Sequence, residues 1–73
     1  MKTIYCIALE GNGPTGVDWY STRAERDAAK GTTGAEQEVL FEMPVPKRAT
    51  HAQITDLADQ AAWAKTYFPK EAA

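Results

Sequence analysis

The chain has 73 residues, of which 44% are hydrophobic and 25% are charged, and its net charge is −2 at pH 7. These values predict one small folded domain over residues 1–73, and they exclude a disordered chain and a broad basic surface. Cys6 is the only cysteine and lies in an apolar run, so we expect a buried, reduced thiol and a cytoplasmic protein. The run from 4 to 9 is too short for a membrane span or a signal peptide.

The first half of the chain predicts a β-hairpin. Residues Lys2–Glu10 form an apolar strand of the kind that occupies the centre of a sheet. The glycine-rich stretch 11–16 predicts the turn, because it lacks the spacing and the Lys-Ser/Thr pair of a phosphate-binding loop. Residues 17–21 form a short second strand, with Trp19 and Tyr20 on opposite faces.

A short helix follows the hairpin. Thr22 and Glu25 fit a capping box, and Gly31 ends the helix just after Lys30. We expect its buried side to consist of small residues, namely Ala24, Ala28 and Ala29.

The second half predicts a strand and a long helix. Residues 36–45 alternate, so that Glu38, Leu40 and Glu42 point to one face and the apolar side chains to the other. Prolines at its end mark an edge strand. Thr50 and Gln53 form a second capping box, and the helix that it begins runs to about residue 68.

These elements predict an α+β fold with the order β-β-α-β-α. The sheet has three antiparallel strands in the spatial order 2-1-3, because the first strand is apolar on both sides. We expect both helices on one face. The other face is then partly open, carries either Trp19 or Tyr20, and is a secondary candidate partner surface through Glu38, Leu40 and Glu42.

The long helix carries the strongest functional signal. Its apolar face is expected to hold Ile54, Leu57, Ala58, Ala61, Ala64 and Phe68, which recur at helical spacing. Trp63 falls on the opposite face, where an aromatic side chain has no role in the core of a monomer. We predict that this face, the helix stripe, binds a partner through Asp56, Asp59, Gln60, Trp63 and Tyr67.

Three explanations of the helix stripe remain open. It is an interface with another protein, a self-association face that forms a homodimer, or internal packing under a misplaced loop. In the first two cases Trp63, Tyr67 and Gln60 are the anchors, and the two aspartates form a polar rim.

The sequence shows no pattern of residues that is typical of a catalytic or metal-binding site. His51 is the only histidine and has no neighbouring ligand for a metal, so we expect an exposed residue, no cofactor and no enzymatic activity. The alternative function is weak nucleic-acid binding or regulation through basic residues, which are Arg23, Arg26 and Lys30 on the short helix with Lys47 and Arg48 before the long one.

One segment resembles a known class of proteins. Residues 19–29, with the sequence WYSTRAERDAA, look like a segment of small phage-encoded proteins in which a glycine hairpin leads to a short strand, a Ser/Thr cap and an alanine-rich helix. In size and style the chain is similar to phage accessory and anti-defence proteins, including anti-CRISPR proteins. The resemblance implies a stoichiometric inhibitor that blocks a bacterial protein in the host cytoplasm, and it carries over no individual residue.

Overall fold

The structure is a computed structural model that describes the backbone of residues 1–67 and the side chains of residues 1–65. Its elements are the strands β1 (Lys2–Glu10) and β2 (Gly16–Tyr20), the helix α1 (Arg23–Ala29), the strand β3 (Gln37–Val45) and the helix α2 (His51–Tyr67). Phe68, which was predicted on the apolar face of α2, lies outside the described residues, as does the side chain of Tyr67. No helix in the described part of the chain has the length and apolar character needed to cross a membrane.

The sheet places β1 between its two neighbours. The strand order is β2-β1-β3, and both pairings are antiparallel. Tyr5 pairs with Tyr20 on one side and with Glu42 on the other, and the next residue, Cys6, pairs with Trp19 and Phe41. The α+β class, the element order and the predicted strand order are therefore confirmed.

The two helices lie on opposite faces of the sheet, and the prediction that they share one face is wrong. α2 covers the face of Cys6, because Trp19 Nε1 donates to Thr55 Oγ1 at 3.0 Å. α1 covers the face of Tyr5, since the Arg26 guanidinium carbon lies 5.8 Å from the Tyr5 ring centre. The physical reason lies in β1, which is apolar on both sides, so that each side needs a covering element.

The main core lies between the sheet and α2. Its buried members are Ile4, Cys6, Ala8, Phe41, Val45, Ile54, Ala58 and Ala62. On α2 the predicted core residues Leu57 and Ala61 pack against this cluster from its margin. Ala64, also predicted on the apolar face, is exposed, whereas Ala62 is buried. The buried face of α2 is turned toward β2, where Trp19 donates a hydrogen bond to Thr55.

The inner side of α1 is basic, which corrects the prediction of an alanine face. Arg26 is 9% exposed, whereas Ala24 and Ala28 are exposed and Ala29 is half-buried. Two nitrogens of the buried guanidinium group have acceptors: Nε donates to Asp27 at 2.8 Å, and Nη1 donates to the Phe41 carbonyl at 3.3 Å, which offsets the cost of burying the charge.

Both predicted helix starts are present. Thr22 is the N-cap of α1, and its hydroxyl accepts from the Glu25 amide at 3.2 Å. Before α2 the reciprocal capping box is complete, because the Thr50 amide donates to Gln53 Oε1 at 2.9 Å and the Gln53 amide donates to Thr50 Oγ1 at 3.2 Å.

Candidate partner-binding surface

Trp63 is a large aromatic side chain that the core does not enclose. It is 53% exposed, although the preceding residue, Ala62, is only 4% exposed. The helical repeat explains this contrast, because successive residues point about 100° apart around the axis. Ala62 faces the sheet, and Trp63 lies outside the core, as the sequence predicted.

A groove of about 320 Å³ lies beside Trp63, and we call it the hairpin groove. α2 contributes Asp59, Ala62 and Trp63, and the β1–β2 hairpin contributes segments 9–11 and 15–16. Two of the lining residues, Asp59 and Glu10, carry carboxylates, and the lining includes no basic residue from the described part of the chain. The groove therefore combines an aromatic wall with negative charge.

The hairpin wall of the groove is held by the segment before β3. The Asn12 amide donates to Glu36 Oε2 at 2.9 Å. Gly11 has φ +111°, and a Cβ placed there would lie 2.4 Å from the Glu36 Cβ. A Cβ on Gly13 would lie 2.8 Å from the Gly34 carbonyl oxygen. This close packing requires glycine and fixes the turn relative to the sheet.

The residues of the helix stripe separate into two groups. Asp59 and Trp63 line the hairpin groove. Asp56 lies outside it and accepts a hydrogen bond from Gln60 Nε2 at 3.0 Å. The side chain of Tyr67 lies outside the described residues, so its predicted place beside Trp63 stays a prediction.

The secondary candidate surface is less open than expected, because α1 and its following loop border it. Arg23 Nη2 lies 3.2 Å from Glu42 Oε2. Glu38 accepts hydrogen bonds from the Thr33 hydroxyl and from the Gly31 amide, and these bonds lower the pKa of its carboxyl group. Leu40 is 40% exposed and is the apolar part of this surface that remains accessible.

The two aromatic side chains of β2 take the opposite faces that the sequence predicted. Trp19 packs against the core under α2, and Tyr20 lies on the other face with Tyr5. Burial raises the pKa of the Tyr20 hydroxyl, and the charges of Asp18 and Glu25 add to the effect.

The basic residues do not form the single patch that nucleic-acid binding would need. Arg26 is buried. Arg23 pairs with Glu42, and its guanidinium carbon lies 5.6 Å from the centre of the Tyr5 ring. The basic residues of α1 could join Lys47 and Arg48 in one patch only if both helices lay on one face of the sheet, but the helices lie on opposite faces. Lys30, Lys47 and Arg48 remain exposed.

Cys6 and His51 occupy positions that do not favour catalysis. Cys6 has no exposed surface, and burial raises the pKa of its thiol to about 11, although the Arg26 charge partly opposes that shift. The exposed His51 ring lies 5.0 Å from the Trp19 ring, tilted by 45°. Among the described residues, no group of three or more His, Cys, Asp or Glu side chains could hold a metal ion.

Sequence reasoning missed the contribution of the hairpin to the site. The glycine-rich segment predicts only a connection between strands, yet one side of the groove consists of Glu10, Gly11, Thr15 and Gly16. A signal was present in the element lengths. A helix that starts beyond the end of β3 and rises about 1.5 Å per residue spans the sheet and ends near the β1–β2 turn.

Comparisons with known proteins give no indication of the function. No protein-family model matches the chain, and neither a curated protein nor a solved structure shows significant similarity to it.

Proposed function

We propose that this protein is a small protein-binding module that acts by surface occlusion, as an anti-CRISPR-like phage inhibitor of a bacterial host or defence complex. Trp63 is the central anchor, and Asp59 lies beside it in the hairpin groove. Gln60 and Asp56 extend the contact along α2, and Tyr67 continues the helix stripe. The observation that carries the proposal is the 53% exposure of Trp63 next to a groove built on regular elements.

The exposed indole is large enough to matter for binding. A tryptophan buries up to about 250 Å² when it is fully enclosed, so roughly 100 Å² of apolar surface remains to be covered. At about 25 cal/mol per Å², removing this area from water is worth about 2.5 kcal/mol before the entropy costs of association. An effect of that size is typical of a binding hot spot.

The remaining chemistry favours binding over catalysis. The Cys6 thiol is enclosed and has a raised pKa, so it is a poor nucleophile. His51 lies against Trp19 on the first turn of α2, whereas Cys6 is buried in the sheet. The bacterial target and the inhibitory role rest on the resemblance of residues 19–29 to phage proteins.

The experiment is a quantitative capture from bacterial lysate. The tagged native protein is compared with Trp63→Ala and with Leu40→Ala, which removes the exposed apolar side chain of the other candidate surface. We expect mass spectrometry to identify proteins that the native chain and Leu40→Ala retain and that Trp63→Ala loses. Equal recovery with Trp63→Ala would place the interface elsewhere.

Two further readouts separate the alternatives. Nuclease digestion of the lysate tests the nucleic-acid alternative, because capture through phosphate contacts requires intact nucleic acid, whereas capture of a protein through Trp63 does not. Sedimentation of the purified protein tests the homodimer, because a dimer that dissociates in Trp63→Ala would make a second copy the partner.

A further inference from the structure

We propose that the hairpin groove binds an arginine side chain of the partner protein. This inference rests on the proposed function, because it names the chemical group that the Trp63 surface recognises. It follows from what lines the groove and from the size of the groove.

The α2 wall presents an aromatic ring and a carboxylate side by side. Asp59 and Trp63 are one helical turn apart, so their side chains are neighbours on the helix surface. A planar guanidinium group can stack on an indole ring while its N–H groups donate to a carboxylate. A lysine ammonium group lacks both the planar face and the fork of donors.

The hairpin wall adds a second carboxylate. Glu10 is the last residue of β1 and lines the groove from the side opposite α2. Because none of the described lining residues is basic, the groove itself offers no cation to these two acids. A cationic occupant is therefore complementary in charge, and an anionic occupant is disfavoured.

The groove is large enough to hold one side chain, and its hairpin wall is held in place. Its volume of about 320 Å³ lies at the lower end of the range of small-molecule pockets. The turn is held by the bond from Asn12 to Glu36 and by the close approach of Gly11 to the same residue. A wall that is ordered before binding loses little conformational entropy when the partner arrives.

The test uses small probes on the folded full-length protein. N-acetyl-arginine amide, N-acetyl-lysine amide and N-acetyl-citrulline amide are titrated while the ¹⁵N resonances are followed by NMR. Citrulline has the shape of arginine without its charge. We expect saturable shifts of the Trp63 indole N–H and of the Gly11 and Gly16 amides with the arginine compound. We expect affinity at least about tenfold weaker for the other two compounds. The Trp19 indole, which is bonded to Thr55, is an internal control that should not move.

Charge-matched variants localise the effect. Asp59→Asn and Glu10→Gln should each weaken binding of the arginine compound by about threefold or more. Asp56→Asn removes the same charge from the same helix outside the groove and should leave it unchanged. The NMR spectrum of each variant also reports whether it is folded.

Four results would overturn the inference: no binding of the arginine compound, equal binding of the citrulline compound, equal binding of the lysine compound, or an equal loss in Asp56→Asn. If the arginine compound fails to bind while Trp63→Ala still abolishes partner capture, the inference fails and the proposed function stands. If the arginine compound binds but Trp63→Ala captures normally, the groove recognises a guanidinium group, but the proposed function of Trp63 as the anchor for the partner fails.

Discussion

Ile54 and Trp63 point to opposite sides of α2 and should differ sharply in their effect on stability. They are two and a half helical turns apart, and they are 2% and 53% exposed. Ile54→Ala should lower the free energy of unfolding by about 2–5 kcal/mol, because it leaves a cavity in the core. Trp63→Ala should lower it by about 1 kcal/mol or less. Urea denaturation measures both, and a loss in Trp63→Ala as large as that in Ile54→Ala contradicts the assignment of the helix face.

The Cys6 thiol should be unreactive in the folded protein. It has no exposed surface, and burial raises its pKa to about 11, so very little thiolate is present at neutral pH. We expect a thiol reagent to label the native protein slowly and the urea-unfolded protein fast. Labelling at the same rate in both states would show that the thiol is accessible.

Glu38 should make the fold sensitive to acid. The Thr33 hydroxyl and the Gly31 amide donate hydrogen bonds to its carboxylate, and these bonds hold its pKa below the ordinary value of 4.5. Its stabilising contribution is therefore present above about pH 4.5 and is lost as the pH falls through the lower folded-state pKa. In Glu38→Gln the Tm should fall less steeply than in the native protein as the pH is lowered below about 4.5.

The Thr33 bond can be tested separately. In Thr33→Val the Glu38 pKa should move up toward 4.5, because the largest cause of its depression is removed. NMR titration of the Glu38 side chain measures the shift. An unchanged pKa would mean that the hydroxyl does not bond the carboxylate in solution.

At the scale of elements, the β1–β2 turn offers a matched pair of glycines. Gly11 and Gly16 have nearly the same positive φ, +111° and +113°. A Cβ on Gly16 meets nothing within 4 Å, whereas one on Gly11 lies 2.4 Å from the Glu36 Cβ. Gly16→Ala should cost about 1–3 kcal/mol from backbone strain alone. Gly11→Ala should cost more because of the added clash, and equal losses in thermal unfolding would argue against the close approach.

Local signals were enough to predict the elements. The capping residues Thr22 and Thr50 mark the helix starts, and the glycines of segment 11–16 mark the hairpin turn. The central place of β1 followed from its apolar character on both sides, which the buried Ile4 and Ile7 confirm. Each of these features depends on a few neighbouring residues, so the sequence reveals it directly.

The placement of the helices depended on longer-range contacts that the sequence does not show. The sequence predicts alanines on the inner side of α1, but the Arg26 guanidinium group packs there against the Tyr5 ring and donates to the Phe41 carbonyl. On α2, alanines at 58, 61, 62 and 64 give little contrast between the inner and outer sides. In the structure Ile54, Ala58 and Ala62 face the core, and Thr55 accepts a hydrogen bond from Trp19 at the edge of that face.

Across the whole molecule, the two candidate surfaces belong to opposite faces of the sheet. Trp63 and the hairpin groove lie on the α2 side. Leu40 and Glu42 lie on the side of α1, because Glu42 pairs in register with Tyr5. Substitutions at the two surfaces should therefore act independently, and each surface is a control for the other.

The most direct test measures the affinity of a captured, purified partner for three forms of the protein: native, Trp63→Ala and Leu40→Ala. If Trp63 is the central anchor, Trp63→Ala should lose about 2 kcal/mol, roughly thirtyfold in Kd, whereas Leu40→Ala should stay within about twofold of the native protein. The reverse pattern, with full affinity in a folded Trp63→Ala protein and loss in Leu40→Ala, would contradict the account and move the interface to the α1 side of the sheet.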